Sequence, residues 1–138
     1  MKLYLLRHGI AEESCSGGSD AERALTKEGR RKTRKVLRGL RALGVSNLPV
    51  FSSPFRRARQ TAEIAARTLN GTVAVTLCNE LQPGTPVASL LRWLRSRKEE
   101  AVLLVGHEPD LSRLAAALLT PDGSLDLALK RAGVCVIE

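Results

Sequence analysis

Short apolar runs alternate with longer amphipathic stretches along this chain, and that alternation sets the expected architecture. Residues 2–7 (KLYLLR) read as a buried strand, followed by a polar, Gly/Ser-rich loop over residues 11–23. From Thr26 the pattern turns helical. Leu25, Val36, Leu37, Leu40 and Leu43 supply the apolar face, and Gly44 is the expected stop. Residues 48–52 form a second strand, with Pro49 limiting its early pairing. Ser53 is expected as the N-cap of the next helix, with Pro54 at its first helical position. Ala58, Thr61, Ala62, Ala65 and Leu69 carry that helix to Asn70-Gly71. A third strand over 72–77, a loop over 78–86 and a helix over 87–97 follow. Residues 101–105 (AVLLV) are the plainest buried strand, Pro109 opens a helix through Leu119, and GVCVIE forms a last strand.

Strands alternating with helices imply parallel βαβ units, hence an α/β fold in three layers: a mostly parallel central sheet with helices on both faces. With no internal repeat or linker, residues 1–138 are expected to form a single domain. Ligands of such sheets bind beyond the carboxyl ends of the strands, where strand order reverses. The residues just after each strand therefore matter most.

Arg7-His8-Gly9 follows the first strand, Ser53-Pro54-Phe55-Arg56-Arg57-Ala58 the second, and Gly106-His107-Glu108 the fourth. The chain holds only two histidines, and both stand directly after an expected parallel strand. A lone histidine is more often structural than catalytic; two at equivalent strand ends, each beside glycine and within reach of arginine, make a candidate site. These residue types suit phosphoryl transfer, in which positioning and electrostatics dominate. Arginine forks match phosphate oxygens, and a helix starting at Ser53-Pro54 would add free N–H groups. A neutral imidazole can attack phosphorus in line, and nearby Arg7 and Arg57 should hold one histidine neutral. Two histidines without HxH or HExxH spacing leave too few ligands for a metal centre, so no metal or other cofactor is expected.

Composition narrows the classes. Of 138 residues 43% are apolar and 26% charged, as in ordinary soluble domains. Aromatics at 3% leave few platforms for stacking bases, which disfavours nucleic acid as a partner despite the net charge of +8. Three cysteines without a CxxC pair argue against a disulfide framework or a zinc ribbon. No apolar run approaches membrane-spanning length, and MKLYLL is too short for a signal peptide, so a cytoplasmic location with no membrane contact is expected.

LLRHG near the start, SSPFRRARQT in the middle and VGHEPDLSRLAAALL late in the chain together resemble the histidine phosphatase superfamily. Within it, RHGIA, the SPxxRAxQT stretch and VGHxPxLxxLA look most like the SixA-type phosphohistidine phosphatases. The resemblance runs from Lys2 to about Val136 and implies a phosphoglycerate-mutase-like fold. It implies that His8 is the nucleophile, that Arg7, Arg57 and His107 complete the phosphate pocket, that Gly9 shapes it, and that no metal is required. Arg57 is preferred to Arg56 because the family's arginine directly precedes the alanine, here Ala58. Arg23 stands where SixA-type proteins carry an arginine before their first helix; a phosphate contact and a surface role both stay open.

Substrate class turns on Glu80. A phosphoester leaves as an alkoxide and wants a general acid nearby, whereas phosphohistidine leaves as imidazole. Relatives acting on small phosphoesters carry a glutamate in this loop within a longer Gly- and Glu-containing signature, which NELQPG lacks. Glu80 as acid and Glu80 as a structural loop residue are the two readings. At this length no insertion is large enough for a lid, and an open site suits phosphohistidine displayed on a protein. The expected activity is metal-independent dephosphorylation of a phosphorylated protein. The alternatives are a phosphatase of a small phosphoester such as a sugar phosphate, or a non-catalytic phosphate-binding module. Eight basic residues against Glu28 between Lys27 and Arg41 form either a solvated face or a docking patch for an acidic protein partner. Cys15 lies in the loop after the nucleophile motif, where oxidation could disturb the pocket.

Overall fold

Alternate side chains of the central strands point to opposite helical layers, and two cores follow from that alternation. The computed structural model of the protein describes residues 1–14 and 17–138; Cys15 lies outside them. Its elements are β1 (Lys2–Arg7), a 3-10 turn (Asp20–Glu22), α1 (Lys27–Ala42), β2 (Val50–Ser52), α2 (Arg56–Asn70), β3 (Thr76–Leu77), a second 3-10 turn (Asn79–Leu81), α3 (Val87–Arg95), β4 (Ala101–Gly106), α4 (Asp110–Leu119) and β5 (Val134–Ile137). The sheet order is β3-β2-β4-β1-β5. Four strands are parallel, and β5 pairs antiparallel with β1.

On one face Tyr4, Leu6, Val50, Leu103 and Val105 pack against Leu37 of α1 and Ala58, Ala62 and Ala65 of α2. On the other, Leu3, Leu5, Phe51, Val102 and Leu104 meet Leu90 and Leu94 of α3 and Leu111 and Leu114 of α4. This is the expected three-layer arrangement. The alanines of α2 let that helix lie close to the sheet, which brings its first turn near the strand ends.

Register decides what meets at that edge. Arg7 of β1 lies opposite Gly106 of β4, so His8 and His107 leave neighbouring parallel strands at the same level. On the other side of β4, Ser52 lies opposite Val105, which brings Ser53 to the same edge. The His8 N–H then bonds to the Gly106 carbonyl at 3.1 Å, and the Ser53 N–H to the Val105 carbonyl at 3.0 Å.

Four boundaries differ from expectation by two residues or more. β2 starts at Val50 and not at Leu48, whose N–H and carbonyl are both taken by the Asn70 side chain. The helix after β2 starts at Arg56, with Phe55 as its cap residue, and not at Pro54 behind a Ser53 cap. Ser53 is consumed elsewhere: its Oγ accepts the Phe55 N–H at 3.2 Å and contacts His107. The third strand is Thr76–Leu77 instead of 72–77, because Thr72 folds into a local turn, accepting the Ala74 N–H through its Oγ1. The third helix stops at Arg95 and not at Arg97, whose guanidinium instead pairs with Glu99 and lies over the Phe51 and Trp93 rings.

Candidate active site

Beyond the carboxyl ends of β1, β2 and β4, a cavity of about 200 Å³ is lined by Arg7, His8, Ala11, Arg23, Arg57, Pro83, His107, Glu108 and Arg131. Both histidines and all three arginines singled out in the sequence thus meet in one space. The two imidazole centroids lie 5.2 Å apart.

The hydrogen bonds of His8 fix its tautomer. Its Nδ1 lies 2.7 Å from the Gly9 carbonyl oxygen, which can only accept, so Nδ1 carries the proton. Arg57 Nε–H, which can only donate, lies 3.3 Å from Nε2. Nε2 is therefore unprotonated, and its lone pair accepts the Arg57 N–H at the cavity wall. Burial, with the Arg57 and Arg7 charges added, pushes His8 down to about 4 and outweighs the Gly9 hydrogen bond. The ring is neutral at pH 7, as expected, although burial and not the arginines is the largest cause.

His107 is held differently. Its Nε2 lies 2.8 Å from Ser53 Oγ, itself the acceptor of the Phe55 N–H. Among the described residues His107 Nε2 is the only acceptor for the Ser53 hydroxyl proton, which leaves the ring proton on Nδ1. That Nδ1 is buried and has no partner among the described residues. Arg7 shows the same feature: its Nη1 donates to the Leu129 carbonyl at 2.9 Å, while its Nε is buried and unpartnered. Two residues that line one cavity, each with a buried polar nitrogen lacking a partner among the described residues, fit an anion site, since such groups are costly to bury unpaired. Burial, then the His8 and Arg57 charges, push His107 down to about 3.

The opposite wall is already paired. Arg57 donates through Nη1 to the Asp20 carbonyl at 2.9 Å and through Nη2 to Asp20 Oδ2 at 3.2 Å. Arg23 donates through Nε to Asp20 Oδ1 at 2.7 Å and through Nη1 to the Glu12 carbonyl at 2.8 Å.

A family model described as the histidine phosphatase superfamily (branch 1) matches residues 3–82. The chain belongs to this superfamily. A phosphohistidine phosphatase SixA of Escherichia coli is 31% identical over 121 residues, covering 86% of this chain and 74% of its own. An uncharacterised protein of Picosynechococcus is 36% identical over 137 residues, covering 97% of this chain and 82% of its own. A solved structure of the protein histidine phosphatase SixA with tungstate superposes with a TM-score of 0.88 at 28% identity, over 100% of this chain and 88% of that one. The chain is thus similar to SixA proteins and has the histidine phosphatase fold.

The motifs of this histidine phosphatase do more than supply catalytic groups. Thr61 donates to the Arg57 carbonyl at 2.7 Å and accepts the Gly9 N–H at 3.1 Å, tying α2 to the loop after β1. Gln60 Oε1 accepts the Leu25 N–H at 2.8 Å. Gly9 does not itself line the cavity or offer a substrate contact; it shapes the site from behind. A Cβ there would stand 2.5 Å from Thr33 Oγ1 and 3.2 Å from the Gly29 carbonyl, so the residue allows close packing and orients His8 through its own carbonyl. Arg56 is exposed, whereas Arg57 enters the cavity from the first turn of α2.

Glu80 is the clear correction. It lines a separate groove with Asn79, Thr85, Ser89, Arg92 and Trp93, and accepts a hydrogen bond from Cys78 Sγ at 3.3 Å. The 3-10 turn over Asn79–Leu81 buries Leu81 in the core and directs Glu80 away from the phosphate site. Pro83, from the same loop, lines the cavity instead.

Sequence reasoning missed Ser53, Asp20, Glu108 and Arg131. Ser53, Gln60 and Thr61 stood inside the SSPFRRARQT motif, so a signal existed. Arg131 gave none, because a turn 124 positions from Arg7 brings it near. The Gly133 N–H bonds to the Lys130 carbonyl at 2.7 Å, and Ala132 adopts a left-handed φ of 59°. The Ala132 N–H is shared between the Arg7 and His8 carbonyls at 3.1 Å each, which pins the loop after β1.

Proposed function

We propose that this protein dephosphorylates phosphohistidine on another protein through a phosphorylated His8 intermediate. Nε2 of neutral His8 attacks phosphorus, forming a P–N bond as the bond to the substrate nitrogen breaks. The leaving imidazole departs neutral, its proton already on the other ring nitrogen. Water then attacks phosphorus, orthophosphate leaves and His8 is restored. Charge on the transferred group is met by Arg7 Nε, His107 Nδ1 and the Arg57 guanidinium.

The observation that carries the substrate class is the employment of the nearby carboxylates. Glu108, the one acid lining the cavity, accepts from the Ser112 N–H at 3.0 Å, the Ser112 hydroxyl and the Leu129 N–H at 3.1 Å. Burial pulls the Asp20 carboxyl up, but its bond to Arg23 and the Arg57 charge more than offset this and hold it below the usual carboxylate range. Glu80 lies elsewhere. A site without a poised acid favours a leaving group that needs none.

A phosphorylated protein also suits the surface. Segment 27–70 carries twelve lysines and arginines against Glu28 and Glu63, and most of them are exposed. An acidic face around the substrate's phosphohistidine would dock there.

The decisive experiment compares a phosphohistidine peptide with a sugar phosphate at equal concentration, together with trapping of acid-labile phosphate on the enzyme. Faster turnover of the peptide, with label lost in His8→Ala, is expected. Faster turnover of the sugar phosphate would assign an ester substrate, and no turnover of either would leave a phosphate-binding module.

A further inference from the structure

We propose that Asp20 is a positioning residue that aims Arg57 and Arg23 at the phosphoryl site. One carboxylate serves both guanidinium groups, Oδ1 accepting from Arg23 Nε and Oδ2 from Arg57 Nη2. Together with its own carbonyl, Asp20 occupies the Nη1 and Nη2 ends of Arg57, and this turns Nε towards His8 Nε2. The edge of Arg57 facing the nucleophile is thus set by what holds its far end.

Electrostatics explains why a carboxylate stands here. Arg57 and Arg23 line one small cavity with Arg7 and repel each other there. Without a counter-charge, each long side chain would gain rotamer freedom by swinging to solvent. Asp20 offsets that repulsion in the free enzyme, so that phosphate meets donors already in place. A packing role does not account for it: the Asp20 side chain is 61% exposed, whereas that of Arg57 is 6% exposed. Nor does the 3-10 turn depend on the carboxylate, because the turn's own bond runs from the Arg23 N–H to the Asp20 carbonyl.

This inference rests on the phosphatase reading for its kinetic arm, so orthophosphate binding by calorimetry supplies an independent one. Asp20→Ala keeps the backbone carbonyl bond to Arg57 and removes only the carboxylate. We expect about tenfold weaker orthophosphate binding and a fall of about ten- to a hundredfold in kcat/KM, with an unchanged thermal midpoint. Asp20→Asn, which keeps the shape and loses the charge, should fall between Asp20→Ala and the parent, and serves if the alanine variant misfolds. In an Arg57→Ala background the same change should cost no more than about threefold, because only Arg23 is then left for it to aim. Parental binding and turnover in Asp20→Ala, or an undiminished loss in the Arg57→Ala background, would overturn the proposal. If the parent protein hydrolyses no phosphorylated substrate, the functional reading fails while the calorimetric arm still decides the role of Asp20.

Discussion

The two walls of the phosphate cavity are built on opposite plans. Arg7 and His107 come from the ends of β1 and β4, and each is fixed at one point while a second buried N–H stays unpartnered. Arg57 and Arg23 come from α2 and from the loop after β1, and their donors are held by Asp20 and Glu12. The strand-end wall is anchored by one backbone carbonyl and one hydroxyl, and among the described residues each of its two side chains keeps a buried nitrogen without a partner. The helix-and-loop wall completes itself and lends the remaining N–H groups to the ligand. Rigid placement comes from sheet register on one side, and from a counter-charge on the other.

If that contrast is right, truncating the strand-end wall should cost most. Arg7→Ala is expected to lower kcat/KM by about 10²–10³, and Arg23→Ala by about tenfold or less, since Arg23 shares its work with Asp20. Steady-state kinetics of the two variants would reverse the contrast if Arg23 proved the costlier. Ser53→Ala should follow with a loss of about tenfold: His107 stays in place, but nothing then fixes its proton on Nδ1. An equal loss in Ser53→Ala and His107→Ala would show that the tautomer is the whole contribution of that ring.

The pH dependence sharpens the same point. With His8 held down to about 4, its Nε2 stays unprotonated as pH falls from 7 to 5, so the acid limb of kcat/KM owed to this ring should lie near 4 and not near 6.5. Stability runs the other way. The unfolded chain binds protons at these rings from about pH 6.5 downwards, while folded His8 and His107 refuse them until about 4 and 3. Unfolding free energy should therefore be fully present above about 6.5 and decline as pH falls through that window, measurable by denaturant melts at several pH values. The smallest effect is expected at Arg131, which is exposed at the cavity mouth: Arg131→Ala should raise KM by about two- to fivefold, more for substrates with an acidic group beside the phosphate.

Much of this was legible from the chain alone. The alternation of apolar runs located all five strands and four helices, the rule that ligands sit beyond strand ends pointed to Arg7, His8, His107 and the Arg56-Arg57 pair, and the family resemblance chose Arg57. Glu80 misled, because a glutamate in the right loop says nothing about which way a 3-10 turn will face it. Asp20 and Arg131 were invisible for a related reason: Arg57 lies 37 positions from Asp20, the strand ends that Arg131 joins lie far from it in the chain, and only folding makes them neighbours.

Sequence by itself determined the layers and the strand-end segments that meet in the cavity, because apolar periodicity and strand-end position are local properties written within a few residues. Tertiary structure alone decided the tautomers, the pairing of the two arginines through Asp20 and the exclusion of Glu80. The His107–Ser53 and Arg57–Asp20 contacts among them are distances of about 3 Å between residues tens of positions apart, and such distances exist only once β1, β2 and β4 stand in register.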